Sequence, residues 1–225
     1  MQTHYHVEIT RRALKNHFSE TALAAIVKAN IKQDRIAYSF GHDHIHFDGS
    51  AFDKGFQYIS LQEQLIYKHA GRSDFELARE AFGRMIHSWQ DFYSHSNYVE
   101  LWLGDNQNAP PEAIVIDDPK IINHPDLTSG KNYGLSEFFA LLPVISRLIL
   151  PLMPPDSHAR MNLDQPSSSQ NFYYAYWAAL KQTSKLFDHV IQGLKSLDYN
   201  HNIISHFTDK KIAKKRYNHE HELKT

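Results

Sequence analysis

The chain contains no cysteine. A disulfide scaffold and thiolate chemistry are therefore excluded, and His, Asp and Glu remain as the strong metal ligands. Neither sign of charge dominates: 24 basic and 25 acidic side chains leave a formal net charge of −1. That balance argues against a general binder of nucleic acid or other polyanions. No apolar run is long and clean enough for a membrane span. The most apolar segment, FFALLPVISRLILPLM at 138–153, carries an internal Pro and an Arg and falls short of the roughly 20 residues a bilayer requires. It reads as a buried helix, with a lipid-facing lip as the functional alternative. The opening MQTHYHVEITRRALKNHF has no apolar core of the kind a secretory signal needs. The localisation expected from it is cytoplasmic, or secreted if a leader was removed. There is no internal repeat and no long linker.

What the chain does have is histidine: 16 residues, gathered at 4–6, 42–46, 87–95 and near the C-terminus, with no polyhistidine run. Helical periodicity dominates the remainder. It predicts helices over 5–18, 20–30 (with Ser19 as N-cap), 53–69, 76–103 (capped by Ser73 or Asp74), 135–153 and 167–197. Residues 31–52 and 104–134 read as loop-rich, with some β-like character at 113–116. The fold class expected is all-α, a single-domain multi-helix bundle over residues 1–207 followed by a charged tail, 208–225.

The segment ELAREAFGRMIHSWQDFYSHSNYVELWL (76–103) is the most informative. It sets His87, Asp91 and His95 at successive four-residue steps. At about 100° per residue these side chains fall within roughly 80° on one face. Phe82, Met85, Ile86, Trp89, Phe92 and Tyr93 run around the other. One face reads as core, while the other presents two imidazoles and a carboxylate in line, as a metal site on a buried helix does. The bland alternative is an i,i+4 ion pair on a surface helix. Arg84, one turn earlier, is either a phosphate contact or a solvated or salt-bridged Arg. Tyr93, Tyr98 and Trp102 suit packing better than a substrate platform. Three ligands on one helix cannot surround a metal, and His6, Asp34 and His46 are the upstream candidates to complete it. Each has a plainer reading: an exposed terminal His, a helix cap, and a loop His bonded to Asp48.

This set, in this order, resembles the zinc-dependent phospholipase C superfamily, which includes single-strand-specific zinc nucleases. SHSNYVEL looks most like the heterokaryon-incompatibility C branch. The matching features are His6 before Arg12-Ala13, Asp34 in the next loop, His46 in HFD, and the helix with His87, Asp91 and His95. The resemblance implies an all-α fold with two zinc ions, up to three. Asp34, His46, His87 and Asp91 would hold one, Asp91 would bridge to a second held by His6, and His95 would serve a third. The family's downstream His-x-x-x-Glu pair is absent after residue 103; His158 is the nearest substitute, ahead of His124 and Asn171.

On that resemblance the expected function is a metal-dependent phosphodiesterase, a phospholipase C that uses a metal-activated water, with Asp34 as both ligand and general base. The expected partner is a phospholipid or another phosphodiester. Peripheral membrane contact would be made through an acyl-chain mouth formed by 138–153 and 171–177. The alternatives are a nuclease of the same fold, for which neutral charge offers little support, a non-catalytic metal-stabilised interaction module, and a metal-free bundle with a His-rich surface.

Overall fold

Ser19 stops the first helix and starts the second. Its backbone is extended and its Oγ accepts a hydrogen bond from Ala22 N at 3.1 Å, satisfying one of the donors a helix start leaves free. α1 (Thr3–Leu14) thus ends just before α2 (Glu20–Lys32). A computed structural model of the chain describes residues 1–34, 42–134, 146–167, 169–197 and 202–210. After α2 come the single turn α3 (Asp43–His46) and a 3-10 turn at Asp48–Ser50. The long α4 (Phe52–Gly71) and α5 (Phe75–His95) follow, then α6 (Tyr98–Asp105). Short helices α7 (Pro119–Ile122), α8 (Ser146–Ile149) and α9 (His158–Met161) lead to α10 (Phe172–Leu197) and α11 (Ile203–Thr208).

The architecture is all-α, and the described residues contain no strand, only the isolated bridges Ser96–Ser129 and Lys131–Ser157. α5 is the axis. It packs against α2, α4 and α10, and α1 lies across α10 and α2. The sequence accounts for this position. α4 buries Gly55, Ile59, Gln62, Ile66 and Ala70, an i, i+4, i+7 stripe that covers one face only. From Ala81 onward α5 is buried almost all round, which is the pattern of a central helix. Phe92 stacks edge-on among Phe47, Phe52, Trp89, Tyr93 and Tyr98, with ring centroids 5.1–6.1 Å apart. Gly83 is what lets α2 come close. A Cβ there would strike the carbonyl oxygen of Ile26 and stand 2.9 Å from Ala29 Cβ.

Several elements differ from the sequence expectation. The helix expected over 76–103 breaks after His95, where Ser96 turns extended. Asn97 N then bonds Thr128 O at 3.0 Å, and Gly130 N takes the free carbonyl of His95 at 3.1 Å. The helix end is closed by distant loop backbone that no local pattern announces. The β-like 113–116 segment is a 3-10 turn, Pro111–Ala113, and its exit. α10 begins at Phe172 rather than 167. Of the apolar helix expected over 135–153, residues 135–145 lie outside the described residues; the rest is α8 and a 3-10 turn at Leu150–Leu152, with Leu148 and Leu152 exposed. α11 was not anticipated. It is held by Phe207, whose ring packs on Phe18 and Phe82 at 5.4 and 5.8 Å. Residues 211–225 of the expected tail also lie outside the described residues. No helix among the described residues is long and apolar enough to cross a membrane.

Candidate metal centre

Four separate segments converge on Asp91. α5 supplies His87 and Asp91, α3 supplies His46, the turn after α2 supplies Asp34, and α1 supplies His6. His87 Nε2 lies 3.0 Å from Asp91 Oδ2, 3.6 Å from Asp34 Oδ1 and 3.2 Å from His46 Nδ1. His46 Nδ1 is 2.8 Å from Asp91 Oδ2, and His6 Nε2 is 3.1 Å from Asp91 Oδ1. Ligand atoms around a tetrahedral zinc, each about 2.0–2.1 Å from the ion, stand about 3.3 Å apart. The spacing here is of that kind. His6, Asp34, His87 and Asp91 each offer an atom within 4.8 Å of the others.

A polar network behind the imidazoles sets which nitrogen faces the cluster. His6 Nδ1 meets Gln90 Oε1 at 2.5 Å, and His87 Nδ1 meets Asn30 Oδ1 at 3.2 Å. Asn30 Nδ2 donates to Thr10 Oγ1 and to Gln90 Oε1. Gln90 Nε2 donates to Thr10 Oγ1 and Thr183 Oγ1. Both amide oxygens are acceptors, so both Nδ1 atoms carry the proton and both Nε2 lone pairs point at the carboxylates. This is the outer-shell arrangement of metal-ligating histidines. Among the described residues, His6 Nε2 and His46 Nε2 are buried and make no hydrogen bond.

The electrostatics separate the imidazoles. Burial pushes the His87 imidazole down to about 4, against the pull of Asp91. His87 is therefore neutral at pH 7, the form a metal needs. For His95, burial and the Met1 amine act downward, but Asp91, Asp48 and Asp164 outweigh them and raise it to about 10. His46 is raised because its hydrogen bond to Asp91 overcomes burial. Burial alone would raise Asp91, yet the Met1 amine, His87, His95 and His6 hold it well below the usual carboxylate range. The Met1 nitrogen is 2.8 Å from Asp91 Oδ1, 2.8 Å from Asp164 Oδ1 and 3.0 Å from His95 Nε2.

A second cluster adjoins the first. Asp48 Oδ1 is 3.2 Å from His95 Nδ1 and 3.0 Å from His158 Nδ1. His158 and His95 pull the Asp48 carboxyl well down despite burial, which acts the other way. The structure thus brings together His6, Asp34, His46, His87 and Asp91 in one group, and His95 and His158 in its neighbour. Arg84 is elsewhere: its Nε donates to Gln62 Oε1 at 2.8 Å and it pairs with Glu80. His124 is a half-buried residue capping its own turn by accepting from Asp126 N. Tyr93, Tyr98 and Trp102 are core. The sequence reading gave no ligand role to Asp48 or Asp164 and overlooked the Asn30–Gln90 network. The signals were faint: Asp48 closes HFD, and Asp164 follows His158 by one loop.

Comparison with known proteins sets this geometry in a family. Residues 2–128 match the family described as the VWA7 N-terminal domain. That span contains every candidate ligand named above except His158, Asp164 and Asn171. The von Willebrand factor A domain-containing protein 7 of Rattus norvegicus and that of Homo sapiens are each 37% identical to the chain over 91 residues, and that of Mus musculus is 36% identical. The match covers 40% of this chain and 10% of each relative. No solved structure matches. These findings overturn the resemblance to zinc-dependent phospholipases C and single-strand-specific nucleases, and with it the assignment as a zinc phosphodiester hydrolase. The all-α class stands; the phospholipase C type of bundle has no support. Asp34's role as general base rested on that assignment alone. The physical reason for the misreading is that a His–Asp–His stripe on a buried helix reports metal-site geometry, which unrelated families can share. With more than half of its residues matched, the chain belongs to the VWA7 N-terminal domain family.

Proposed function

We propose that the chain is a divalent-metal-binding helical unit, with Zn²⁺ held by Asp34, His46, His87 and Asp91 and with His6 turned to the far oxygen of Asp91. One observation carries this reading: acceptors face acceptors. The Nδ1 protons of His6 and His87 are spent on Gln90 and Asn30. Their Nε2 lone pairs then stand 3.1 and 3.0 Å from the oxygens of a buried carboxylate. Lone pairs at that distance repel unless positive charge lies beside them; the Met1 amine stands 2.8 Å from the oxygen that His6 faces, whereas burial disfavours a proton on His87, so the His87–Asp91 pair is the one a metal ion would relieve. A mixed carboxylate and imidazole set suits Zn²⁺. The ion would tie together the end of α2, α3 and α5, so its binding would be felt as stability of the helical unit. The relatives carry a von Willebrand factor A domain by name, but the match spans only a tenth of their length, so the proposal concerns the helical unit alone.

The test is metal content and melting of the protein purified without chelator. Zinc is expected to co-purify and to be lost in His87→Gln. Free Zn²⁺ at a hundredfold its Kd stabilises by about 2.7 kcal/mol, or about 5–6 °C in Tm for a chain of this length. A metal-free preparation whose Tm is unchanged by EDTA and by added Zn²⁺ refutes the proposal.

A further inference from the structure

We infer that the chain has a second, more labile seat for a divalent cation, formed by Asp48, His95 and His158 where the turn after α3, the end of α5 and the start of α9 meet. The three residues each offer a ligand atom within 4.8 Å of the others. Asp48 Oδ1 is the shared centre, 3.0 Å from His158 Nδ1 and 3.2 Å from His95 Nδ1, a nitrogen that also lies 3.0 Å from His46 O. The two rings stand 4.5 Å apart at 82°, so their nitrogens approach Asp48 from different directions. None of the three belongs to the four ligands of the first seat.

The loops that bring these side chains together are fastened by backbone. Gly49 N donates to Gly130 O at 2.8 Å, Ser50 N to Ser129 Oγ at 2.7 Å, and His158 N to Lys131 O at 2.8 Å. Ser129 Oγ in turn donates to Phe47 O. Gly130 is required here, since a Cβ would stand 2.5 Å from His158 Cα. Asp48 sits between Phe47 and Gly49, with φ of 59° and 61°, and Ser50 follows at 55°. Non-glycine residues seldom adopt such angles, so the backbone bonds around the bend must hold it in place. The chain bends sharply here and holds Asp48 against both imidazoles.

Two imidazoles and one carboxylate are a three-ligand set, the number found where a zinc keeps a water in its fourth position. Charge, rather than access, separates the seats: Asp34 and His46 of the first are 25% and 10% exposed, and Asp48 and His158 of the second 15% and 19%. One carboxylate in place of two gives weaker attraction for a dication. The second seat therefore fills after the first and empties before it.

The experiment is a Co²⁺ titration of the chelator-stripped full chain, read by visible absorption and by bound metal after gel filtration. Wild type is expected to take two equivalents in successive steps, the later one removed by dialysis. Asp48→Asn and His158→Gln should each lose the later step and keep the first, with the helical circular dichroism unchanged. Asp34→Asn and His87→Gln should lose the first. Retention of both equivalents in Asp48→Asn and His158→Gln overturns the second seat, as does a wild-type stoichiometry of one that only His87→Gln abolishes. If one equivalent binds and only the Asp48 and His158 variants abolish it, the second seat stands and the first fails.

Discussion

Replacing Asp91 by Asn tests the centre at its most constrained point. The side chain is 1% exposed and faces His46 Nδ1 at 2.8 Å, His87 Nε2 at 3.0 Å, His6 Nε2 at 3.1 Å and the Met1 nitrogen at 2.8 Å. Asn keeps the volume, so packing is unchanged. What disappears is the charge that buried nitrogens are turned towards. Removing one partner of a buried ion pair costs about 3–5 kcal/mol. Unfolding entropy of about 2.1 cal/mol/K per residue gives a 225-residue chain roughly 0.5 kcal/mol per degree. The loss therefore corresponds to a Tm lower by about 6–10 °C in chelator. Added Zn²⁺ should restore none of it, because Asp91 is the ligand that α5 presents to every other segment. The assay is thermal unfolding followed by circular dichroism at matched pH, with EDTA and with Zn²⁺. A variant melting within about 2 °C of wild type in EDTA, or gaining as much as wild type from Zn²⁺, would show that Asp91 is not the electrostatic centre of the cluster.

Gly83→Ala should force α2 away from α5, since its Cβ would stand 2.9 Å from Ala29 Cβ and 3.1 Å from Asn30 N. Overpacking of this kind costs about 1–3 kcal/mol, and withdrawing Asn30 from His87 should also weaken zinc binding. Gly71→Ala, where a Cβ meets nothing within 4 Å, is the control, and equal effects at both positions would contradict the close-packing account. The metal-free protein should also be most stable near neutral pH. The His87 pKa lies at about 4, below its ordinary value, so its contribution is present above about pH 6.5 and is lost as pH falls towards 4, about 3 kcal/mol in all. His95 is raised to about 10, so its contribution is present below about pH 6.5 and is lost as pH climbs towards 10. Melting in chelator across this range checks both arms, and a Tm that rises steadily from pH 7 to 9 contradicts the second.

The grouping of side chains around Asp91 was legible in the sequence because its axis is local. His87, Asp91 and His95 are related by helix periodicity alone, and His6, Asp34 and His46 are ligand-type residues close to helix ends. Of the second cluster, His95 and His158 were named from the resemblance, but Asp48 was not, because the geometry is made by contacts between distant segments. Leu163 N bonds Ser94 O at 2.7 Å and so sets Asp164 beside His95, and no spacing rule links those residues. The break after His95 was hidden for the same reason: Ser96 and Asn97 leave the helix to pair with Ser129 and Thr128. Family membership was not legible at all from ligand types. The same stripe of side chains is what any metal centre on a buried helix requires, and it carries no mark of ancestry.

The network behind the two imidazoles has a direction. Thr183 on α10 spends its hydroxyl proton on Ala179 O at 2.8 Å, so towards Gln90 it can only accept. That fixes the Gln90 amide with its NH₂ towards Thr183 and its oxygen towards His6 and Asn30. Asn30 is fixed next, then His87. One hydroxyl in a helix that contributes no ligand thus polarises a relay through α5 and α2 and decides that both rings offer lone pairs, rather than protons, to Asp91. Rotating the single amide of Gln90 by half a turn would reverse His6 and turn a proton, in place of a lone pair, towards Asp91.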